Sequence, residues 1–289
     1  IVSDATQGSQ FALRLTRLNP AGVLDSTYAP NGEKILSGLP SYFEMAPGVS
    51  VVAEPNGGFT VMARTTISGS SSIYLLVRVT AAGTLNVGFG DGGFVRGYAV
   101  DNHFDRPVTM VRTANGGLLL MGDSVTLPSY PFDTTYASSK AVLWRITADG
   151  LADASLGTAG RLELGNVDSY IYSYSFRFDF KFAALSDGSI ALVNAVDSTT
   201  ARVSHFDASG VLDSAFGAAG SSTIALAGYS TFSAISILPN DVGGLLIPAV
   251  AGLTLECSPL NDCVPRGVDA AVASLNGSGH LQTSYGRGD

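Results

Sequence analysis

Short apolar runs alternate along the chain with clusters of Gly, Asn, Asp, Ser and Thr, and no helical period of apolar positions emerges. Residues 93–100, 107–113, 118–124 and 141–147 read as four consecutive strands, followed by a turn at Gly150. Several apolar runs open on a turn dipeptide: Asn56-Gly57, Asn115-Gly116 and Asp187-Gly188, with Asn240 to Gly244 as a looser fourth case. Asn-Gly and Asp-Gly favour a two-residue hairpin turn because both central residues take positive φ. Each dipeptide therefore predicts a hairpin.

The same pattern recurs. Gly22, Gly83, Gly150, Gly210 and Gly279 mark copies about 60–69 residues apart, and Gly32, Gly93, Gly160 and Gly220 follow the first four at a fixed distance. Arg17, Arg78 and Arg145 stand at one register position, where His205 and Ser274 stand in the later copies. Asp25, Asp153 and Asp213 share another position, taken by Asn86 and Gln282 in the remaining copies. Four strands per unit form an antiparallel meander that cannot hide both faces alone, so successive units must stack. The expected fold is all-β, a β-propeller of four-stranded antiparallel blades. A partial blade is expected at 1–32, with complete blades at about 33–93, 94–160, 161–220 and 221–289. That count suggests a piece of a longer propeller, or a ring closed by strands from elsewhere, including a second copy.

The fourth copy runs from Phe206 through Gly210, Asp213, Phe216 and Gly217 to Gly220. With the Asp-Gly hairpins, it resembles the bacterial delta-60 repeat propellers. The resemblance covers essentially the whole chain, and the fifth copy departs most, with Ser274 and Gln282. It implies a propeller in a large secreted or surface protein, and it carries no agreed catalytic site.

Composition narrows the function classes. Only 14% of the 289 residues are charged while 46% are hydrophobic, and Gly is abundant at 34. The net charge of −8, with no Lys/Arg cluster, disfavours nucleic acid and anionic membrane surfaces. The most apolar region, 233–255, is interrupted by Pro239, Asn240, Asp241 and Pro248, so no membrane insertion is expected. The chain starts at Ile1 without Met or a signal peptide, which suggests processing or trimming. Cys257 and Cys263 lack further metal-ligating neighbours, so a loop-closing disulfide in an oxidising, extracellular or surface setting is expected.

Candidate sites divide into scaffold and contact residues. The recurring Asp side chains are expected to accept backbone N–H bonds in turns. Contact candidates are Tyr130, Phe132 and Tyr136 in a long insertion, and Tyr170, Tyr172 and Tyr174 at alternate positions leading into Phe176–Phe182. Asp101, His103 and Asp105 form a weak local metal trio. No Ser/His/Asp set and no nucleophile elbow stands out. No cofactor is expected, with calcium as the alternative. The pattern points to a non-enzymatic extracellular module for adhesion, assembly, or protein or glycan binding at the cell surface. The alternatives are a propeller lyase or hydrolase acting on glycans and a calcium-stabilised lectin-like domain.

Overall fold

The computed structural model describes residues 1–7, 10–29, 31–37, 39, 50–64, 72–98, 103–126, 139–167, 180–225, 229–257 and 263–283. Among these residues every regular element is a strand. The chain divides into two compact units, Ile1–Ala154 with Thr158–Phe176, and Ser155–Gly157 with Arg177–Asp289.

The first unit holds three antiparallel sheets. β1 (Val2–Gln7), β2 (Gln10–Thr16) and β3 (Glu33–Leu36) form the first. The second runs in the order β4 (Ser50–Ala53), β5 (Phe59–Arg64), β6 (Ser72–Val79) and β7 (Phe94–Tyr98). The third contains β8 (His103–Arg112), β9 (Leu118–Thr126), β10 (Ser139–Ile146) and β11 (Arg161–Val167). In the second unit, β12 (Phe180–Ala184), β13 (Ile190–Ala195), β14 (Thr200–Phe206) and β15 (Ser221–Ala225) make one meander. The last sheet centres on β18 (Leu245–Cys257). It is flanked on one side by β16 (Thr231–Ala234) and the short β17 (Leu238–Pro239), and on the other by β19 (Cys263–Leu275). The fold is all-β, built of four-stranded antiparallel propeller blades.

Alternation explains why these strands read as unbroken apolar runs. Along β6, Leu75, Val77 and Val79 join Leu13, Leu15 and Leu36 of the first sheet and Val61 and Ala63 of β5. Tyr74 and Leu76 point the other way and join Met110, Leu118, Leu120, Val142 and Trp144 of the third sheet. A sheet covered on both faces needs apolar residues at odd and even positions alike. The second unit repeats this packing: Ala191, Val193 and Val203 of its first sheet meet Phe232, Ile247, Ala249 and Leu275 of its second. Each fully buried Leu, Ile or Val contributes about 1.5–3 kcal/mol, so these seams hold the stack together.

Two expectations from the sequence change in detail. The first concerns phase. The strand after each repeat closes the sheet before it: Val77 pairs with Phe94, so β7 belongs with β6, and residues 93–100 do not open the next blade. The sheets therefore end one strand later than the units 33–93, 94–160 and 161–220 suggest. The cause is local, because Arg78 N bonds to Gly93 O at 3.1 Å and lays the chain back along β6. Arg17, Arg145 and His205 make the same bond to Gly32, Gly160 and Gly220.

The second correction concerns turn type. At the Asn56-Gly57 hairpin, Gly57 N bonds to Glu54 O at 3.0 Å and Glu54 N to Gly58 O at 2.8 Å. Gly57 is left-handed, but Asn56 is not among the positive-φ residues. This is a three-residue loop ending in a left-handed glycine, with Asn56 Oδ1 accepting from Gly58 N at 3.0 Å. Two-residue turns with both φ positive lie instead at Gly92-Gly93, Ala159-Gly160 and Ala219-Gly220.

Successive repeats are fastened through their turns. Gly90 N donates to Asp149 O at 2.6 Å in the first unit. In the second unit Gly157 N donates to Ser209 O at 2.9 Å and Gly217 N to Ser278 O at 2.8 Å. The acceptor always precedes a repeat glycine. Gly150 must be glycine on two grounds, a φ of +88° and a Gly90 nitrogen 2.6 Å from where its Cβ would stand.

Candidate functional site

The recurring polar residues stand at strand ends and fold onto the loop that follows: Arg17 comes directly after β2, and Arg78, Arg145 and His205 are the penultimate residues of β6, β10 and β14. In the first copy Arg17 Nε donates to Asp25 Oδ2 at 2.7 Å, while Asp25 Oδ1 accepts from Thr27 N at 2.9 Å. The Thr27 hydroxyl, with help from Arg17, holds the Asp25 carboxyl below its ordinary range. Arg17 also lies over the Tyr28 ring, 4.8 Å from its centre. In the second copy Arg78 lies 4.0 Å over Phe89, and its Nη1 donates to Ala148 O at 2.5 Å. Its Nε reaches Thr60 Oγ1 at 2.9 Å and Glu54 Oε1 at 3.3 Å, while Arg112 Nε meets Glu54 Oε2 at 3.1 Å. One carboxylate thus ties arginines from two adjacent sheets. Burial pushes the Arg78 guanidinium down from its usual value, and Glu54 opposes that shift.

The fourth copy replaces arginine by His205 and assembles a constellation that the sequence did not reveal. His205 Nδ1 lies 3.0 Å from Asp213 Oδ2, and Nε2 lies 3.1 Å from Ser189 Oγ. Phe216 stacks on the ring, with centroids 5.2 Å apart. A Ser–His–Asp chain of this spacing resembles a hydrolytic triad, so the location of its protons decides what it can do.

Ser189 Oγ donates to Asp187 Oδ1 at 2.6 Å, and Ser189 N donates to the same oxygen at 2.9 Å. Those two bonds, the hydroxyl first, hold the Asp187 carboxyl below its usual range, with a smaller contribution from His205. The Ser189 hydroxyl is thus aimed at Asp187 and not at the ring, whereas a serine nucleophile hands its proton to a neighbouring base. Ser189 is also only 4% exposed. The arrangement pins β13 and β14 to the loop after them. The signal in the sequence was His205 occupying the arginine register, beside a hairpin whose Ser189 follows Asp187-Gly188.

Other predicted site residues fall as follows. Tyr130, Phe132, Tyr136, Tyr170, Tyr172, Tyr174 and Asp101 lie outside the described residues, as does the His103 side chain. Asp105 accepts from Trp144 Nε1 at 3.0 Å and faces Arg161 at 3.8 Å, so a donor and a cation already occupy its oxygens. No group of three metal-ligating side chains occurs among the described residues. Cys257 and Cys263 are directly opposite in the β18–β19 register, while the five residues between them lie outside the described set. No described helix is long and apolar enough to cross a membrane.

No family model matches the chain. No curated protein matches it either. Solved structures with partial similarity include a GDP-Man-dependent mannosyltransferase from Leishmania mexicana, at 12% identity and a TM-score of 0.36. That match covers 77% of this chain and 62% of the enzyme. Prolyl oligopeptidase B from Galerina marginata matches at 9% identity and a TM-score of 0.44, over 98% of this chain and 32% of the peptidase. A xylan beta-1,4-xylosidase from Bacillus halodurans matches at 10% identity and a TM-score of 0.33, over 95% of this chain and 52% of that one. The chain thus spans less than two thirds of each of these proteins. Likenesses this remote carry no chemistry across.

Proposed function

We propose that the chain is a non-enzymatic, extracellular β-propeller module of the delta-60 kind that binds protein or glycan at a cell surface. One observation carries this reading: residues at the recurring arginine position are closed on partners within the fold, as Arg17 on Asp25, Arg78 on Glu54, and His205 on Asp213. Groups bound in this way serve as scaffold and leave recognition to the segments that differ between repeats. The contact residues are then Tyr130, Phe132 and Tyr136 in one insertion and Tyr170, Tyr172 and Tyr174 in another. Aromatic rings with a polar edge suit sugar and protein surfaces. The facing backbone positions of Cys257 and Cys263 support a cross-strand disulfide and hence an oxidising location. Self-assembly through exchanged strands belongs to the same reading.

The test uses the purified chain on glycan arrays and on intact cells, with Tyr170, Tyr172 and Tyr174 replaced by alanine in one variant and Tyr130, Phe132 and Tyr136 in another. Loss of binding without loss of thermal stability supports the assignment. Turnover of a glycan substrate, or labelling of Ser189 by a serine-reactive phosphonate, would overturn it. Chelator-sensitive binding would favour the calcium-dependent lectin instead.

A further inference from the structure

Asparagine followed by glycine occurs four times, at Asn31-Gly32, Asn56-Gly57, Asn115-Gly116 and Asn276-Gly277. Such a pair is chemically labile where the glycine nitrogen is free to attack the asparagine side-chain carbonyl, since glycine has no Cβ to hinder the approach. At the first three pairs that nitrogen is tied into a turn. Gly32 N donates to Ala29 O at 2.7 Å, Gly57 N to Glu54 O at 3.0 Å and Gly116 N to Thr113 O at 3.0 Å. Asn276 instead opens its turn, whose bond runs from Gly279 N to Asn276 O at 2.9 Å. Gly277 N has no partner among the described residues, and both Asn276 and Gly277 are exposed. Asn276 Oδ1 accepts from Ser278 N at 3.0 Å and from His280 N at 2.9 Å. Two backbone donors polarise Cγ and already face the oxygen on which charge develops when a nucleophile adds.

We propose that Asn276 is a self-modifying site, which passes through a cyclic imide with Gly277 to aspartate and isoaspartate faster than the other three pairs react. Gly277 N gives up its proton and bonds to Asn276 Cγ. The Cγ–Nδ2 bond breaks, and the amide nitrogen leaves as ammonia with that proton. Water then opens the imide. Opening at Cγ gives aspartate, while opening at the main-chain carbonyl leaves the chain running through Cβ and Cγ.

The fold separates these two products. The fourth repeat carries Asp207 at this register, where Oδ1 accepts from Ser209 N at 2.8 Å and from Val211 N at 2.9 Å. Aspartate at 276 therefore keeps the turn. Isoaspartate adds an atom to the main chain where the turn has no room to move. Ser278 O accepts from Gly217 N at 2.8 Å, and a Cβ on the buried Gly279 would lie 2.8 Å from the Phe216 ring. Isoaspartate thus opens the contact between the β12–β15 and β16–β19 sheets.

The test incubates the whole chain in neutral buffer, folded or unfolded in denaturant, and follows amide-to-acid conversion at all four pairs by peptide mass spectrometry. Asn276 should convert about three- to tenfold faster than Asn31, Asn56 and Asn115 in the folded chain, the factor for opening one turn hydrogen bond before reaction. The four rates should converge in the unfolded chain. Asn276→Asp should leave the melting temperature unchanged. Chains labelled by an isoaspartate methyltransferase should lose protection of the Gly217 amide in hydrogen exchange. Equal rates at the four pairs in the folded chain would overturn the proposal, as would a preference for Asn276 that persists after unfolding. Native Gly217 protection in the labelled chains would overturn the predicted opening of the contact.

Discussion

Replacing Gly150 by alanine separates two reasons for a glycine at the repeat position, because Gly22 occupies the same register with only one of them. Both residues are left-handed, with φ of +88° and +76°. An alanine forced there costs about 1–2 kcal/mol of backbone strain, partly offset by about 0.4–1 kcal/mol from the stiffer unfolded chain. Around Gly22 there is nothing within 4 Å of an added Cβ, so Gly22→Ala should cost about 1 kcal/mol. Around Gly150 the added carbon would lie 2.6 Å from Gly90 N, 2.9 Å from Gly90 Cα and 2.8 Å from Val95 Cγ2. Backbone cannot swing aside as a long side chain can. The Gly90–Asp149 bond must open, at about 1 kcal/mol, and the crowded seam must shift, at about 1–3 kcal/mol. Gly150→Ala should therefore exceed Gly22→Ala by about 2–4 kcal/mol. Urea unfolding followed by fluorescence of Trp144, the chain's single tryptophan, measures this directly, since Trp144 lies in the same seam. Equal losses in the two variants would refute the argument that turn-to-turn contact, and not backbone conformation alone, fixes this glycine.

Three further outcomes follow from the same structure. Ala159→Gly and Ala219→Gly each relieve an alanine held at φ of +52°, and each should raise stability by about 1 kcal/mol in denaturant titrations. Asp105→Ala removes the acceptor for the Trp144 indole and should lower stability by about 1–3 kcal/mol while altering the tryptophan emission. Asp187 is held below the ordinary carboxylate range, so its contribution is complete above about pH 4 and should be lost as pH falls through its depressed folded value. Asp187→Asn should flatten that part of the acid unfolding curve.

Much of this molecule was legible in one dimension. Glycines that must be left-handed, side chains that cap turns within four residues, and strands apolar on both faces are local demands, and each leaves a periodic mark. Gly22 with Asn19, and Gly210 with Asp207, show the repeat turn being closed by neighbours in sequence. Partnership across the sheets was not legible. Residues 93–100 were recognisable as a strand, but only the Arg78–Gly93 pairing decided which blade they complete. Ser189, His205 and Asp213 looked unrelated in sequence, and the β13–β14 register brought them within hydrogen-bonding distance. Asp187 then accepts the Ser189 hydroxyl, which turns a triad-like spacing into a clamp. The division has a physical basis. Backbone sterics and turn hydrogen bonds act over a few residues, whereas pairing register and charge balance depend on which distant segments lie side by side.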